Sequence, residues 1–293
     1  DWSWTLIFLL MTWNLTAVFR TWHPTWNIGS SFVLAALAAI LFFSSVLAHE
    51  LGHSVVATSF GMKVREIRLF LFGGVSNIEK EPPSPGIELL MAIAGPLVSF
   101  AIGVASLAAA AVILGVRGVA FDAADPMSTL AGLDPLTTLL VWLGPVNIMV
   151  GAFNLIPGFP LDGGRVLRAI VWRITGDLHK ATFTASIVGR GIGWLFVVMG
   201  IAMVFGVKIP FFGQGAGSGV WLAFIGWFLT SAAERTFDNL VVQEILENVS
   251  VAQIMRRTGY VVPPETSVRS AVDEWFMRSS ERAFPVVSDD NKL

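Results

Sequence analysis

Residues 31–60, SFVLAALAAILFFSSVLAHELGHSVVATSF, join a membrane-length apolar run to a metal-ligand motif. The run consists of Val, Ala, Leu, Ile and Phe with two serines, and as a helix it is long enough to cross about 30 Å of hydrocarbon. His49 and His53 follow four residues apart, so on a helix they share one face and can converge on a single zinc ion. Glu50, beside the first histidine, can then act as general base on an activated water.

The composition of the chain is that of a multi-pass membrane protein. Of its 293 residues, 54% are hydrophobic and 14% are charged, whereas about a quarter of a soluble domain is charged. The formal net charge of −2 and the absence of a basic arm exclude nucleic acid as a partner. Because there is no cysteine, disulfides and thiolate ligands are excluded, and the strong metal ligands left are His, Asp and Glu. The chain opens without Met, and we expect that it starts inside a longer protein.

The apolar runs predict about six transmembrane helices and a small membrane-associated β-hairpin. The predicted spans are residues 2–18, 31–60, 87–116, 136–154, 192–207 and 220–233. Residues 64–78 predict the hairpin, with a tight turn centred on Gly73 and Gly74. The glycine-rich residues 213–219 lack the Lys-Ser/Thr of a phosphate loop and predict a flexible connection.

The fourth predicted span is interrupted by a polar, proline-rich segment. Pro157, Pro160 and three glycines forbid a regular helix there, and at membrane depth irregular backbone is tolerated only where it is buried in protein or lines a cavity. The segment carries Asp162, which we predict as the third metal ligand, since a catalytic zinc needs about three protein ligands. Asn154, on the same segment, either hydrogen-bonds substrate or a developing oxyanion, or caps the end of a helix.

The basic residues predict the orientation of the chain in the membrane. They are concentrated after the second span, at Lys63, Arg65, Arg68 and Lys80, and after the fourth, at Arg165, Arg168, Arg173, Lys180 and Arg190. By the positive-inside rule these loops and both termini face the cytoplasm. The predicted ligands of the second and fourth spans then lie at similar depth, towards the cytoplasmic leaflet.

Two other ionisable residues are predicted not to be ligands. Glu88, near the start of the third span, is interpreted as a snorkelling or interfacial acid. His179 is interpreted as a solvated loop residue within the basic stretch.

The two metal-site motifs together resemble those of the site-2 protease family of intramembrane zinc metalloproteases. The resemblance rests on His49-Glu-Leu-Gly-His53, on Asn154-Leu-Ile-Pro-Gly-Phe-Pro-Leu-Asp162-Gly-Gly164, and on Ala94-Gly-Pro-Leu-Val-Ser-Phe100, where many members have Asn at the position of Ser99. It implies that His49, His53 and Asp162 bind one zinc ion, that Glu50 is the catalytic base, and that Asn154 assists substrate or transition-state binding.

That resemblance also implies a substrate and a location. The family cleaves transmembrane segments of other proteins, often releasing a regulator in regulated intramembrane proteolysis. We therefore expect a transmembrane protein substrate, a lipid bilayer environment, and a multi-pass protein of a prokaryotic cell membrane.

The end of the chain predicts a separate, incomplete module. We expect a transmembrane metalloprotease domain over residues 1–238, and a linker with a partial α/β module over residues 239–293. Ser250-Val-Ala-Gln-Ile-Met255 and the strand–helix–strand pattern after it resemble a cystathionine-β-synthase (CBS) module. The resemblance implies adenosine nucleotide binding at a complete pair of modules in the full-length protein, and a homodimer formed through the module.

A helical substrate must be unwound before its peptide bonds can be reached. We hypothesise that the hairpin offers an edge strand that holds the unwound segment by β-addition. The candidate substrate-binding residues are Leu69, Leu71, Gly73 and Gly74, together with Asn154.

Two alternatives remain open from the sequence. In a membrane metal-ion carrier, the same ligands would form a transit site and Glu50 would be a further ligand. In a nucleotide-sensing membrane scaffold, the C-terminal module would be the functional part of the chain.

Overall fold

A computed structural model describes residues 3–70, 73–78, 81–119, 125–210, 212–247, 249–250, 253, 261–278 and 283–287. The chain divides into two compact units, Asp1–Leu240 and Val241–Leu293. In chain order the helices and strands up to residue 247 are α1 (Ser3–Trp22), α2 (Ile28–Ser59), β1 (Val64–Phe70), β2 (Gly73–Ile78), α3 (Pro85–Val116), α4 (Pro126–Ala131), α5 (Pro135–Asn154), α6 (Asp162–Thr175), α7 (Leu178–Val204) and α8 (Ala216–Glu247).

Polar caps start the long helices. The side chains of Asn27, Ser84, Asp134 and Asp177 each accept a hydrogen bond from a backbone N–H in the first turn of α2, α3, α5 and α7 respectively. These bonds satisfy N–H groups that have no partner inside the helix. The sequence positions of these caps therefore decide where the membrane helices begin.

Among the described residues, five helices are long and apolar enough to cross a membrane. They are α2, α3, α5, α7 and the part of α8 from Ala216 to Asp238. The first predicted span forms helix α1, which is not among the five; it contains Arg20 as well as several Thr, Asn and Trp residues. The multi-pass helical architecture is confirmed, and a membrane role for α1 stays a prediction.

Helix α7 begins well before the predicted fifth span, so the assignment of His179 to a solvated loop is wrong. Asp177 starts the helix by accepting the Lys180 N–H at 3.0 Å, and His179 is its second residue. The His179 ring is partly buried and meets the Phe237 ring edge-on, with centroids 5.6 Å apart.

The predicted flexible connection at residues 213–219 is also wrong in its second half, because α8 starts at Ala216. A Cβ at Gly219 would lie 2.5 Å from the carbonyl oxygen of Gly200 in α7. Glycine there permits close packing of two helices, and this contact offsets its low helix propensity.

Strands β1 and β2 form the predicted antiparallel hairpin, but its turn is misplaced in the prediction. Leu69 pairs with Gly74, and Phe70 pairs with Gly73, so both glycines lie in β2 and not in the turn. Pairing from Glu66 to Phe70, continued at Val64 after one irregularity, sets this register, and glycine's preference for turns is too weak to override it. Leu71 lies outside the described residues.

Helix α3 packs against α2, α5 and α6. Small residues bring it close to α5, where a Cβ at Gly103 would lie 2.9 Å from the carbonyl oxygen of Gly144. Helix α3 is therefore the element around which the predicted ligand-bearing helices α2 and α6 are arranged.

The described part of the second unit contains a short helix, α9 (Val268–Ala271), followed by a π-helical turn, Val272–Phe276. Val262 and Val286, on either side of this helical segment, form a parallel β-bridge. The helix predicted near residues 251–255 lies almost wholly outside the described residues, and the CBS assignment stays a prediction.

Candidate metal centre

The predicted ligands come together in the structure. His49 and His53 of α2 and Asp162, the first residue of α6, each offer a ligand atom within 4.8 Å of the others. The Nε2 atoms of the two histidines lie 3.1 and 3.2 Å from Oδ2 of Asp162. Both rings are buried, and Glu50 next to them is 8% exposed. Residues more than a hundred positions apart thus form one enclosed polar group among apolar helices.

The broken segment delivers Asp162 to this group. Helix α5 ends at Asn154, residues 155–161 form turns, and α6 starts at Asp162. A Cβ at Gly158 would lie 2.8 Å from the backbone nitrogen of Gly189 in α7. The absence of a side chain therefore lets the segment lie directly against α7, which holds the start of α6 in place.

Gly95 of α3 forms one wall of the group. A Cβ at this position would lie 2.6 Å from Nε2 of His49 and closer still to Nε2 of His53. The two ring nitrogens therefore point into space that any residue other than glycine would fill. In the sequence, Gly95 stands out only as part of the glycine–proline motif of the third span. That motif does not predict its contact with the histidine rings.

Helix α3 also orients both histidine rings. Nδ1 of His53 lies 2.7 Å from the backbone oxygen of Met91, and Nδ1 of His49 lies 2.8 Å from Oγ of Ser99. A carbonyl oxygen only accepts, so His53 carries its proton on Nδ1 and leaves Nε2 free to bind a metal. Sequence reasoning identified neither Met91 nor the role of Ser99 as a partner of His49.

The donor set fits zinc. Nε2 of His53 is buried and lies beside the Asp162 carboxylate without hydrogen-bond geometry, and no other residue in the described ranges pairs with it. Catalytic zinc sites are commonly formed by two imidazole nitrogens and a carboxylate. The other ring nitrogen of each histidine, Nδ1, is already hydrogen-bonded here, as is usual for histidine ligands.

Replacement of Ser99 with Ala tests the orientation of His49. Loss of the hydrogen bond should let the ring rotate and weaken zinc binding or activity roughly 10- to 100-fold, the usual cost of losing a partner that orients a ligand. Zinc affinity is measured by competition with a chromogenic chelator. Ser106→Ala, at another buried serine of α3, is the matched control, and equal affinities for the two variants would contradict this role.

The other predicted site residues lie outside the group formed by the two histidines and Asp162. Asn154 is the last residue of α5 and is partly exposed, and its side chain makes no hydrogen bond to the described part of the chain. Leu69, Gly73 and Gly74 lie in the hairpin described above. None of these positions joins the group formed by the histidines and Asp162 within the described contacts.

The interpretation of Glu88 as a snorkelling acid is wrong. Its side chain is 1% exposed, and Oε1 lies 2.5 Å from the guanidinium of Arg168 in α6. A carboxylate buried in an apolar helix needs a counter-charge, and Arg168, predicted only as one of several cytoplasmic basic residues, supplies it.

Comparison with known proteins shows the family. Residues 37–199 match the model of peptidase family M50. The chain belongs to this family. Its relatives include sll0528 of Synechocystis sp., named as a zinc metalloprotease, which is 34% identical and aligned over 99% of this chain and 70% of its own length. The zinc metalloprotease MJ0392 of Methanocaldococcus jannaschii is 32% identical, over 90% of this chain and 67% of its own length.

A solved structure is also similar to this M50 chain. The site-2 protease from Methanocaldococcus jannaschii is 29% identical over 79% of this chain and 88% of that one, with a TM-score of 0.48. The family assignment rests on the sequence matches. This M50 chain is a multi-pass membrane protein and an intramembrane zinc metalloprotease, and its substrates are proteins.

Proposed function

We propose that the chain hydrolyses peptide bonds within or near transmembrane segments of membrane-anchored proteins, using one zinc ion held by His49, His53 and Asp162. The observation that carries this proposal is the convergence of these three side chains within 4.8 Å, against a glycine wall and inside apolar helices. A site at that position can meet a peptide bond that lies in the bilayer.

The roles of the surrounding residues follow from their chemistry. When bound, zinc supplies Lewis-acid activation of water and of the peptide carbonyl. Glu50, next to His49 in α2, accepts a proton from the attacking water and returns it to the leaving amine. Asn154 hydrogen-bonds the substrate carbonyl oxygen as negative charge develops there.

Removal of zinc tests the proposal. The full chain, reconstituted in vesicles with a single-span membrane protein, should contain one zinc per chain, should lose cleavage on chelation, and should regain it when zinc is added back. Cleavage that persists after the zinc has been removed would contradict the proposal. Zinc uptake into the vesicles without cleavage would favour the metal-ion carrier.

We propose in addition that the hairpin holds the unwound substrate as an added strand. Support comes from its position, since β1 follows α2 directly and both strands contact this helix, which carries His49 and His53. Main-chain hydrogen bonds at a strand edge give affinity without demanding a particular substrate sequence.

Proline at Leu69 and Leu71 tests the hairpin. Proline removes a backbone N–H and cannot pair through it, so the double proline variant should cleave a membrane substrate at least about 10-fold more slowly, as expected when about 1.4 kcal/mol of binding is lost, with its zinc content unchanged. Alanine at the same two positions keeps the N–H groups and is the matched control. Equal cleavage by the proline and alanine variants would rule out strand addition through these residues.

We propose a further set of assignments for the whole protein. Residues 1–238 form the protease domain and residues 239–293 a linker and partial CBS-like module, with both termini in the cytoplasm of a prokaryotic cell. The basic residues after the second and fourth spans support this orientation. In the full-length protein a complete pair of CBS modules binds adenosine nucleotide, and two chains pair through the module. Cleavage belongs to regulated intramembrane proteolysis.

A further inference from the structure

We infer that Arg168 and Glu88 are positioning residues that fix Asp162 relative to the two histidines. The inference rests on the proposed ligand set of His49, His53 and Asp162. It concerns how the ligand on α6 is held in place.

The pair is buried and closely bonded. Nε and Nη2 of Arg168 both lie 2.5 Å from Oε1 of Glu88, and the exposed fractions of the two side chains are 8% and 1%. Nη2 of Arg168 also lies 3.1 Å from Oε2 of Glu81, which is half exposed. Breaking a buried pair leaves an uncompensated charge, so α3 and α6 are strongly held at this point.

Arg168 also contacts the segment that leads to Asp162. Its guanidinium lies over the ring of Phe159, 5.5 Å from the ring centroid, in the geometry of a cation–π contact. Phe159 is buried and lies three residues before Asp162. The Arg168 side chain thus contacts the segment that precedes Asp162, and Arg168 itself lies on α6, the helix that begins at Asp162.

Helix α3 presents both the charge partner and the histidine partners. Glu88, Met91, Gly95 and Ser99 are all buried, and their spacing of three, four and four residues places them along one side of the helix. Met91 and Ser99 orient the histidine rings, and Gly95 makes room for them. Glu88 extends the same row by one turn and reaches α6 through Arg168.

The spacing along the two helices is matched. Glu88 and Gly95 are seven residues apart, about 10 Å along α3, and Asp162 and Arg168 are six residues apart, about 9 Å along α6. Helix α6 is therefore tied to α3 directly at the ion pair, and at the metal centre through His49 and His53, which lie against both Gly95 and Asp162. Two attachments at similar spacing oppose sliding or tilting of α6, which would move the Asp162 carboxylate away from the histidines.

Replacement of Glu88 with Gln tests this inference, with zinc affinity and melting temperature measured on the full chain in detergent. We expect zinc affinity to fall roughly 10-fold or more, as for other residues that position ligands. Glu88→Gln leaves Arg168 buried beside a neutral partner. The double variant Glu88→Gln with Arg168→Gln is therefore measured alongside, because it removes both buried charges of the pair and leaves only the half-exposed Glu81 without its partner. The double variant should also bind zinc more weakly than the wild type.

Two controls separate positioning from general stability. Glu81→Gln removes only the ion pair between Arg168 and the half-exposed Glu81. It should leave zinc affinity within about twofold of the wild type. Asp134→Ala removes the cap of α5 and its ion pair with Arg117, so it should lower the melting temperature without changing zinc affinity.

The outcomes are distinguishable. If the wild type binds one zinc and the Glu88 variants bind it equally tightly, with only their melting temperature lowered, the inference is overturned and the proposed function stands. If the wild type itself does not bind zinc through the three ligands, the proposed function fails, and the inference fails with it.

Discussion

Glu50→Gln should keep one zinc ion per chain and lose at least about 100-fold in cleavage rate, the lower range of what a general acid–base residue contributes. The side chain keeps its size and stays in the buried position beside His49, but the amide cannot accept a proton from water. The measurement is zinc per chain together with the rate of cleavage of a single-span protein in vesicles.

The control for this variant is Glu234→Gln, which makes the same chemical change at an exposed residue of α8. It should cleave at the wild-type rate. Unchanged cleavage in the Glu50 variant would overturn the mechanism. Loss of both zinc and cleavage would indicate that Glu50 is a ligand, as in the metal-ion carrier alternative.

Gly95→Ala should abolish zinc binding under conditions in which the wild type is saturated. The added methyl group would lie 2.6 Å from Nε2 of His49 and would overlap Nε2 of His53, and these two nitrogens are the proposed ligand atoms. The loss should exceed the roughly 10- to 100-fold that follows removal of an orienting hydrogen bond, because the ring nitrogens themselves are displaced.

Gly115→Ala, near the other end of α3, is the matched control. A Cβ there meets no described atom within 4 Å, and alanine has the higher helix propensity, so this variant should fold and bind zinc as the wild type does. Equal zinc affinity for the Gly95 and Gly115 variants would show that the α2–α3 contact relaxes without cost.

The sequence predicted the parts of the site that depend on local geometry. A spacing of four residues places His49 and His53 on one helical face wherever the helix lies. Pro157, Pro160 and the glycines around them break the fourth span whatever its neighbours are. The choice of Asp162 as third ligand also came from the sequence, because the orientation of the loops brings it to the depth of the histidines.

Several expectations depended on distant parts of the chain and were missed or wrong. The partner of Glu88 lies 80 residues away on α6, and no local pattern distinguishes a buried arginine from the cytoplasmic ones around it. The sequence predicts a turn at Gly73 and Gly74, but strand pairing places both residues in β2. The sequence predicts Gly219 as part of a flexible connection, but in the structure this residue lies in α8 and allows close packing against α7.

By itself the sequence therefore determined the membrane class and the helix that carries the two proposed histidine ligands and the proposed base, since these follow from composition or from spacing within one element. It also predicted Asp162 as the third ligand, from the broken fourth span and the orientation of the loops. Only the tertiary structure decided which residues surround and hold those ligands. Gly95, Met91, Ser99 and the Glu88–Arg168 pair act across helix interfaces, and close packing between helices is set by their relative position and rotation. A one-residue change in rotation would replace every one of these contacts, and the sequence of a single helix does not specify that rotation.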